Sequence, residues 1–158
     1  MRTVEPERFR AVMGHFATGV AVVTVDAPGG PQGMTANAVA SLSLDPPLML
    51  ACLDRGSRTL EVVRATGAFG VSVLSAGQAQ LAQAFASKAP HTEKFREVPF
   101  EEREGVPILD GAVAWVACSL HDLHPGGDHE IAVGDVLAVG GDGGDPLVFY
   151  AGAYRPLD

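Results

Sequence analysis

The sequence predicts a mainly β protein, a barrel or sandwich with a few peripheral helices. Three observations carry this. Apolar segments rich in β-branched residues outnumber helical ones. Helices do not alternate strictly with strands, as a doubly wound parallel sheet would require. The last third reads as strand, turn, strand, turn, strand, the signature of an antiparallel meander.

Taken in order, Phe9, Val12, Met13 and Phe16 fall at i, i+3, i+4, i+7, which predicts an amphipathic helix with Pro6 in its first turn and Gly19 as its end. "VAVVTVD" follows as a buried strand, and "APGGPQG" as a turn. The stretch from Gly33 to Pro47, "GMTANAVASLSLDPP", reads as one long strand, and "LMLACLD" as the next. Ser57 is placed to cap a helix over "RTLEVVRAT", which Gly67 closes. "AFGVSVL" is a strand, and Ser75 is placed to cap the helical "AGQAQLAQAFAS". "KAPHTEKFREVPFEEREGVP" has little periodicity and reads as a surface wrap. "AVAWVACSLHDL", the turn "HPGGD", "HEIAVGDVLAV", the turn "GGDGGD" and "PLVFYAGAY" complete the meander.

The 158 residues fit one domain, 1–158. Apolar residues make up 47% and charged ones 19%, a folding rather than a disordered composition. A net charge of -8 argues against non-specific nucleic-acid or anionic-membrane binding. The acidic "EEREG" reads as a solvated loop. Cys52 and Cys118, each among apolar residues, read as buried small hydrophobes rather than a disulfide. "MRTVEPERFR" lacks a leader's apolar region, and no apolar run approaches the roughly 20 residues of a membrane span, so a cytoplasmic protein is expected.

No P-loop, G-x-G-x-x-G, G-x-S-x-G or C-x-x-C motif occurs. Three segments remain as candidates. In an uninterrupted strand Thr35, Asn37, Val39, Ser41 and Ser43 share one face, with Met34, Ala36, Ala38, Ala40 and Leu42 opposite. The plain reading is a strand with one wet face. Yet that face carries only short neutral side chains besides Val39, and the other face is small as well. Such a surface suits a flat polar heteroaromatic ligand approached closely by backbone. In "LDRGSRT", Ser57, Thr59, Arg55 and Arg58 gather hydroxyls and positive charge at a helix start, which suits an anion; the plain alternative is a Ser cap with two surface arginines. "HDLHPGGDHEI" tempts toward a metal site, but His121 and His124 point to opposite strand faces, so a polar hairpin is the better reading and no metal is expected. A lone His129 facing a pocket is a third possibility, as a hydrogen-bonding group near neutral pH. Phe85, Phe95 and Tyr154 are either core aromatics or ring-stacking partners.

The order "FATGVAVVT", "GMTANAVASLSLDPPLMLACLDRGSRT", "FGVSVL", "FA…KF", "GDHEIAVGDV", "YR" resembles the flavin reductase-like, FMN-binding split-barrel family, and more narrowly the small reductase component of two-component flavin-dependent monooxygenases. The resemblance runs from about Phe9 to Arg155. It implies a Greek-key split β-barrel that works as a homodimer, moves a hydride from NADH or NADPH to FMN or FAD, and releases reduced flavin to a partner oxygenase. By resemblance, Thr35, Ala36, Asn37, Ser41 and Leu42 line the isoalloxazine and ribityl chain, and Cys52 and Leu53 contact it, partly by backbone. Ser57, Arg58 and Thr59 hold the phosphate. Phe85 and Ala86 border the site with Lys94. His129 is the expected catalytic residue, where nicotinamide stacks on flavin, with Tyr154 nearby. "SKAPHTEKF" is longer than the family's usual segment there, and Ala38 stands where many relatives carry Ser. A flavin- or haem-binding module of the same barrel type, without turnover, is the alternative.

Overall fold

The computed structural model describes residues 3–158. Met1 and Arg2, which open the segment read as lacking a leader's apolar region, lie outside them. The described chain runs α1 (Pro6–Met13), β1 (Thr18–Gly19), β2 (Ala21–Ala27), β3 (Gly30–Ala36), β4 (Val39–Leu44), β5 (Pro47–Asp54), α2 (Arg58–Thr66), β6 (Ala68–Val73), α3 (Ala79–Ala86) and α4 (His91–Lys94). It continues with β7 (Phe100–Arg103), β8 (Val106–Leu109), β9 (Ala114–Gly126), β10 (His129–Gly140), β11 (Val148–Tyr150) and β12 (Ala153–Arg155).

Seven strands form one antiparallel sheet in the order β3-β2-β6-β9-β10-β5-β4. Its two edge strands, β3 and β4, are consecutive in the chain. The sheet therefore curls round until its edges meet through the Asn37–Ala38 link, with no ladder between them: a split barrel. Inside it, Val23, Val25, Phe69, Val71, Ala51, Leu53, Cys118 and Ala132 form the core, and Leu60 and Val63 of α2 plug one end. Each Val, Leu or Phe among them stabilises the fold by about 1.5–3 kcal/mol when fully buried.

β2 is apolar on both faces because both are covered. Val20 and Val22 pack outward against Leu74, Phe85, Phe95, Leu109 and Leu147, under α3 and α4. The hairpin β7–β8 closes a third side, where Val106 and Ile108 sit on Ala117. Gly70 of β6 permits that approach, since a Cβ there would lie 2.7 Å from Thr24 Oγ1 and 3.1 Å from Ile108 and Val106 side-chain atoms.

The structure corrects several sequence expectations. The stretch from Gly33 to Pro47 is not one strand. It breaks at Asn37 and Ala38, small exposed residues that carry the chain from one barrel edge to the other, and it bulges again between Ser41 and Ser43. Thr35, Asn37, Ser41 and Ser43 consequently do not form one continuous wet face. α1 ends at Met13 with Gly14 as its cap, not at Gly19, because Ala151 N–H ties Gly14 O to the C-terminal hairpin. Ser75 does not cap α3. It is held in a bridge to Pro146, and its N–H donates to Gln78 Oε1, so the helix starts at Ala79. The segment read as a surface wrap contains α4, β7 and the first two residues of the buried β8. "HPG" continues β9, leaving Gly127 and Asp128 as the hairpin loop. "PLVFYAGAY" splits into β11 and β12, which join β1 in a separate three-stranded sheet instead of extending the meander. Ser57 does cap α2, accepting from Leu60 N–H at 3.1 Å, and Gly67 closes it with φ 70°. Among the described residues no helix is long and apolar enough to cross a membrane.

Candidate functional site

Two features outside the barrel wall meet along β3. The first is a cleft of about 650 Å³ between α1 and the sheet edges. Its floor is small: Ala36, Asn37, Ala38 and Ala40 from the β3–β4 link, with Leu50 and Cys52 from β5. Alternation along β5 sends Ala51 and Leu53 into the core and leaves Leu50 and Cys52 outside. Met13, Phe16 and Thr18 make the opposite wall, and the Thr18 hydroxyl is buried with no hydrogen-bond partner. The "FATGV" segment was part of the resemblance, but nothing in its pattern marked Thr18 as a cleft residue.

The second feature is a cationic corner three residues back along β3, about 10 Å at strand rise. Gly33 sits on the free edge of the strand. Its N–H donates to His91 Nδ1 at 3.3 Å, and its carbonyl accepts from Lys94 Nζ at 3.4 Å. Lys94 also donates to Phe85 O at 3.3 Å. Its side chain is buried, 6% exposed, and no carboxylate pairs with it among the described residues. Burial, then the Arg58 guanidinium, lowers the Lys94 pKa. Arg58 donates to Ala89 O at 3.0 Å. His91 is pushed down to about 4 by burial first, then by Lys94 and Arg58. Its ring is therefore neutral near pH 7. His91 escaped the sequence reading because it lies in a segment without periodicity. The only signal was its place three residues before Lys94, one turn of a short helix.

The other expected site residues divide by exposure. Thr35, at the junction of the two features, donates its hydroxyl to Ala82 O at 2.7 Å. Asn37, Ser41 and Leu42 are exposed on the link and on edge strand β4. Cys52 is half-buried in the cleft, not fully buried as expected, and desolvation raises its thiol pKa. Cys118 is buried, and burial and then Asp135 push its thiol up to about 12. Leu53, Thr59 and Phe85 have side chains sealed inside, Phe85 edge-to-face on Phe95 at 4.9 Å, so Leu53 offers only backbone to a ligand. Ser57 spends its hydroxyl on the α2 cap. Ala86 is exposed at the end of α3. Tyr154 lies half-buried against Phe149 in the C-terminal sheet, its pKa raised by burial.

His129 begins β10 opposite Asp54, and Arg55 Nε donates to its carbonyl at 3.4 Å, which ties it to the loop before α2. Its Nδ1 lies 2.7 Å from Asp128 Oδ1 and donates to it, leaving Nε2 free. That bond holds the Asp128 carboxyl below the usual carboxylate range. The hairpin does not join His129 to His121: Gly126 stands opposite His129, and His121 pairs with Asp135 at 3.1 Å. Among the described residues no three metal-ligating side chains converge. An apolar, small-floored cleft beside a cationic corner can hold a planar ring at one end and an anion at the other.

The chain matches the flavin reductase like domain family over residues 13–158. It is 40% identical to an NADH-dependent flavin reductase from a Rhodococcus species, over 98% of this chain and 88% of that protein. It is 38% identical to the reductase subunit of a flavin-dependent monooxygenase from Rhodococcus jostii, over 98% of this chain and 80% of that one. Among solved structures, the NADH:FAD oxidoreductase of Streptomyces globisporus in complex with NAD and FAD fragments superposes with a TM-score of 0.90 at 37% identity, over 100% of this chain and 98% of that one. The chain belongs to the flavin reductase like domain family.

Proposed function

We propose, from membership of this family, that the chain is an NADH-dependent flavin reductase that supplies reduced flavin to a partner monooxygenase. The observation that carries this to its own residues is the pairing of the open cleft with a buried, carboxylate-free Lys94. The cleft floor suits a planar ring, the unpartnered Thr18 hydroxyl offers a hydrogen bond at its wall, and the corner suits a phosphate. FMN and FAD both present a phosphate, and we take either as the acceptor, with NADH before NADPH as donor.

Bound together, NADH and flavin supply the hydride chemistry between them. The protein positions and shields. Ala36, Asn37, Ala38 and Cys52 take the ring against small side chains and backbone, with Thr35, Ser41, Leu42 and Leu53 at its margins. Lys94 and Arg58 hold the phosphate end, with Ser57 and Thr59 beside them, Thr59 through its backbone N–H alone, and with Phe85 and Ala86 at the border. His129, its Nδ1–H fixed by Asp128, presents Nε2 as an acceptor for the nicotinamide carboxamide N–H, with Tyr154 at the rim. No acid–base pair is needed, because orientation supplies most of the advantage.

A homodimer and a cytoplasmic location complete the proposal. α1 has no buried residue and exposes Phe9 at 61%, with Phe16 just beyond its end at 70%, an apolar face that a second copy covers. Two free cysteines suit a reducing compartment. The test is NADH oxidation in air, followed at the nicotinamide band, with FMN, FAD or no flavin added. Flavin-dependent loss is expected. Flavin binding without NADH loss would favour the non-catalytic module.

A further inference from the structure

His91 has a structural bond on one ring nitrogen and nothing on the other. Gly33 N–H can only donate, so Nδ1 accepts and the proton of the neutral ring sits on Nε2. That nitrogen is closed to solvent and has no partner. A buried donor left without an acceptor is costly. Lys94 shares the Gly33 peptide with His91, donating to its carbonyl. Arg58 is close enough to both to act on them electrostatically, and it spends a charged donor on a neutral carbonyl, Ala89 O. The corner thus collects three donors, two of them cationic, and offers them only neutral oxygens.

We propose that His91 is a binding residue for the phosphate end of the flavin: its Nε2–H is the third donor beside Lys94 and Arg58, and the phosphate reaches it by drawing Arg58 off the Ala89 carbonyl. This rests on the flavin reductase assignment above. A charged phosphate oxygen is a stronger acceptor for a guanidinium than a neutral carbonyl is. Once Arg58 turns to the phosphate, the segment 87–90 loses that tie to α2, which frees the chain just before His91 to move. The Gly33 N–H fixes the tautomer in advance, so His91 meets the anion already as a donor. Neutrality of the free ring is maintained by the same burial and neighbouring charges that hold its pKa near 4.

The experiment is a titration of FMN and of riboflavin, which lacks the phosphate, onto the intact protein and two variants, read by flavin fluorescence. In His91→Asn the side-chain oxygen still accepts from Gly33 N–H, but the distal donor is gone. In His91→Gln an amide N–H stands where Nε2–H stood. The expected result is an FMN Kd raised about tenfold in His91→Asn with riboflavin within about twofold, and FMN affinity within about threefold of wild type in His91→Gln. Inorganic phosphate should compete with FMN on the wild type and more weakly on His91→Asn. Equal losses for FMN and riboflavin, or no loss for either, while the wild type still oxidises NADH with flavin, would overturn the role of His91. A wild type that neither binds nor reduces flavin would overturn the reductase assignment instead.

Discussion

The cleft and the corner lie on one strand and are built by opposite means. The cleft is open, small-floored and apolar, and its hydrogen-bonding is mostly backbone. The corner is closed, and it keeps a lysine, an arginine and a histidine together without a carboxylate. Burying a cation in this way costs folding free energy unless a partner arrives. On the proposed reading, affinity and chemistry are separated along β3. A phosphate group is the same before and after hydride transfer, so a corner that holds it would anchor without favouring either redox state, and the ring end, where charge changes, would be left to weak and adjustable contacts.

Breaking the corner should have the largest effect. Lys94→Met removes the buried charge at similar length. FMN affinity should fall by about 30- to 100-fold, the scale of a lost charge-assisted hydrogen bond. Riboflavin binding should change little, and the ligand-free protein should melt no lower, since an uncompensated charge has been replaced by an apolar side chain. Calorimetric titration and thermal melts check both halves. Breaking the cleft should look different. Ala38→Leu fills the exposed floor and should weaken FMN and riboflavin alike, by about tenfold, on the low side of an overpacking penalty of 1–3 kcal/mol. Its stability should stay within about 0.5 kcal/mol, as for exposed substitutions generally.

Two further effects sharpen the division. His129→Ala should raise KM for NADH by about fivefold, the loss of one hydrogen bond, with flavin Kd nearly unchanged; unchanged steady-state kinetics would remove His129 from the mechanism. The other effect is on stability against pH rather than on binding. His91 ionises near 4 in the folded chain and near the ordinary 6.5 when unfolded. The unfolded chain therefore binds more protons between those values, and stability falls as pH drops from about 6.5 to about 4. His91→Asn should flatten that part of the curve in denaturant melts.

Much of the barrel was legible because its strands carry strong local patterns. "VAVVTVD", apolar or β-branched at every position before Asp26, reads as a buried strand, and it is one. The Ser57 and Gly67 caps are local chemistry, visible without tertiary context. What could not be read depended on contacts distant in sequence. The break at Asn37 follows from the barrel's need to carry the chain between its edges, which no two-residue period reveals. The cationic corner needs α4 laid on β3, 58 residues away in the case of His91 and Gly33. Thr18 became a site residue only when the end of α1 and the segment after it formed the far wall of the cleft. The residues proposed for the flavin face came from motif resemblance, and the fold places several of them, small and partly exposed, along one cleft.

The most direct test of the central claim is a single turnover without oxygen. The protein, one equivalent of FMN and one of NADH are mixed anaerobically, and the nicotinamide and flavin bands are followed together. If the chain aligns donor and acceptor as described, both bands bleach at one rate with one-to-one stoichiometry, far faster than without protein. Flavin that binds while both bands persist would contradict the account.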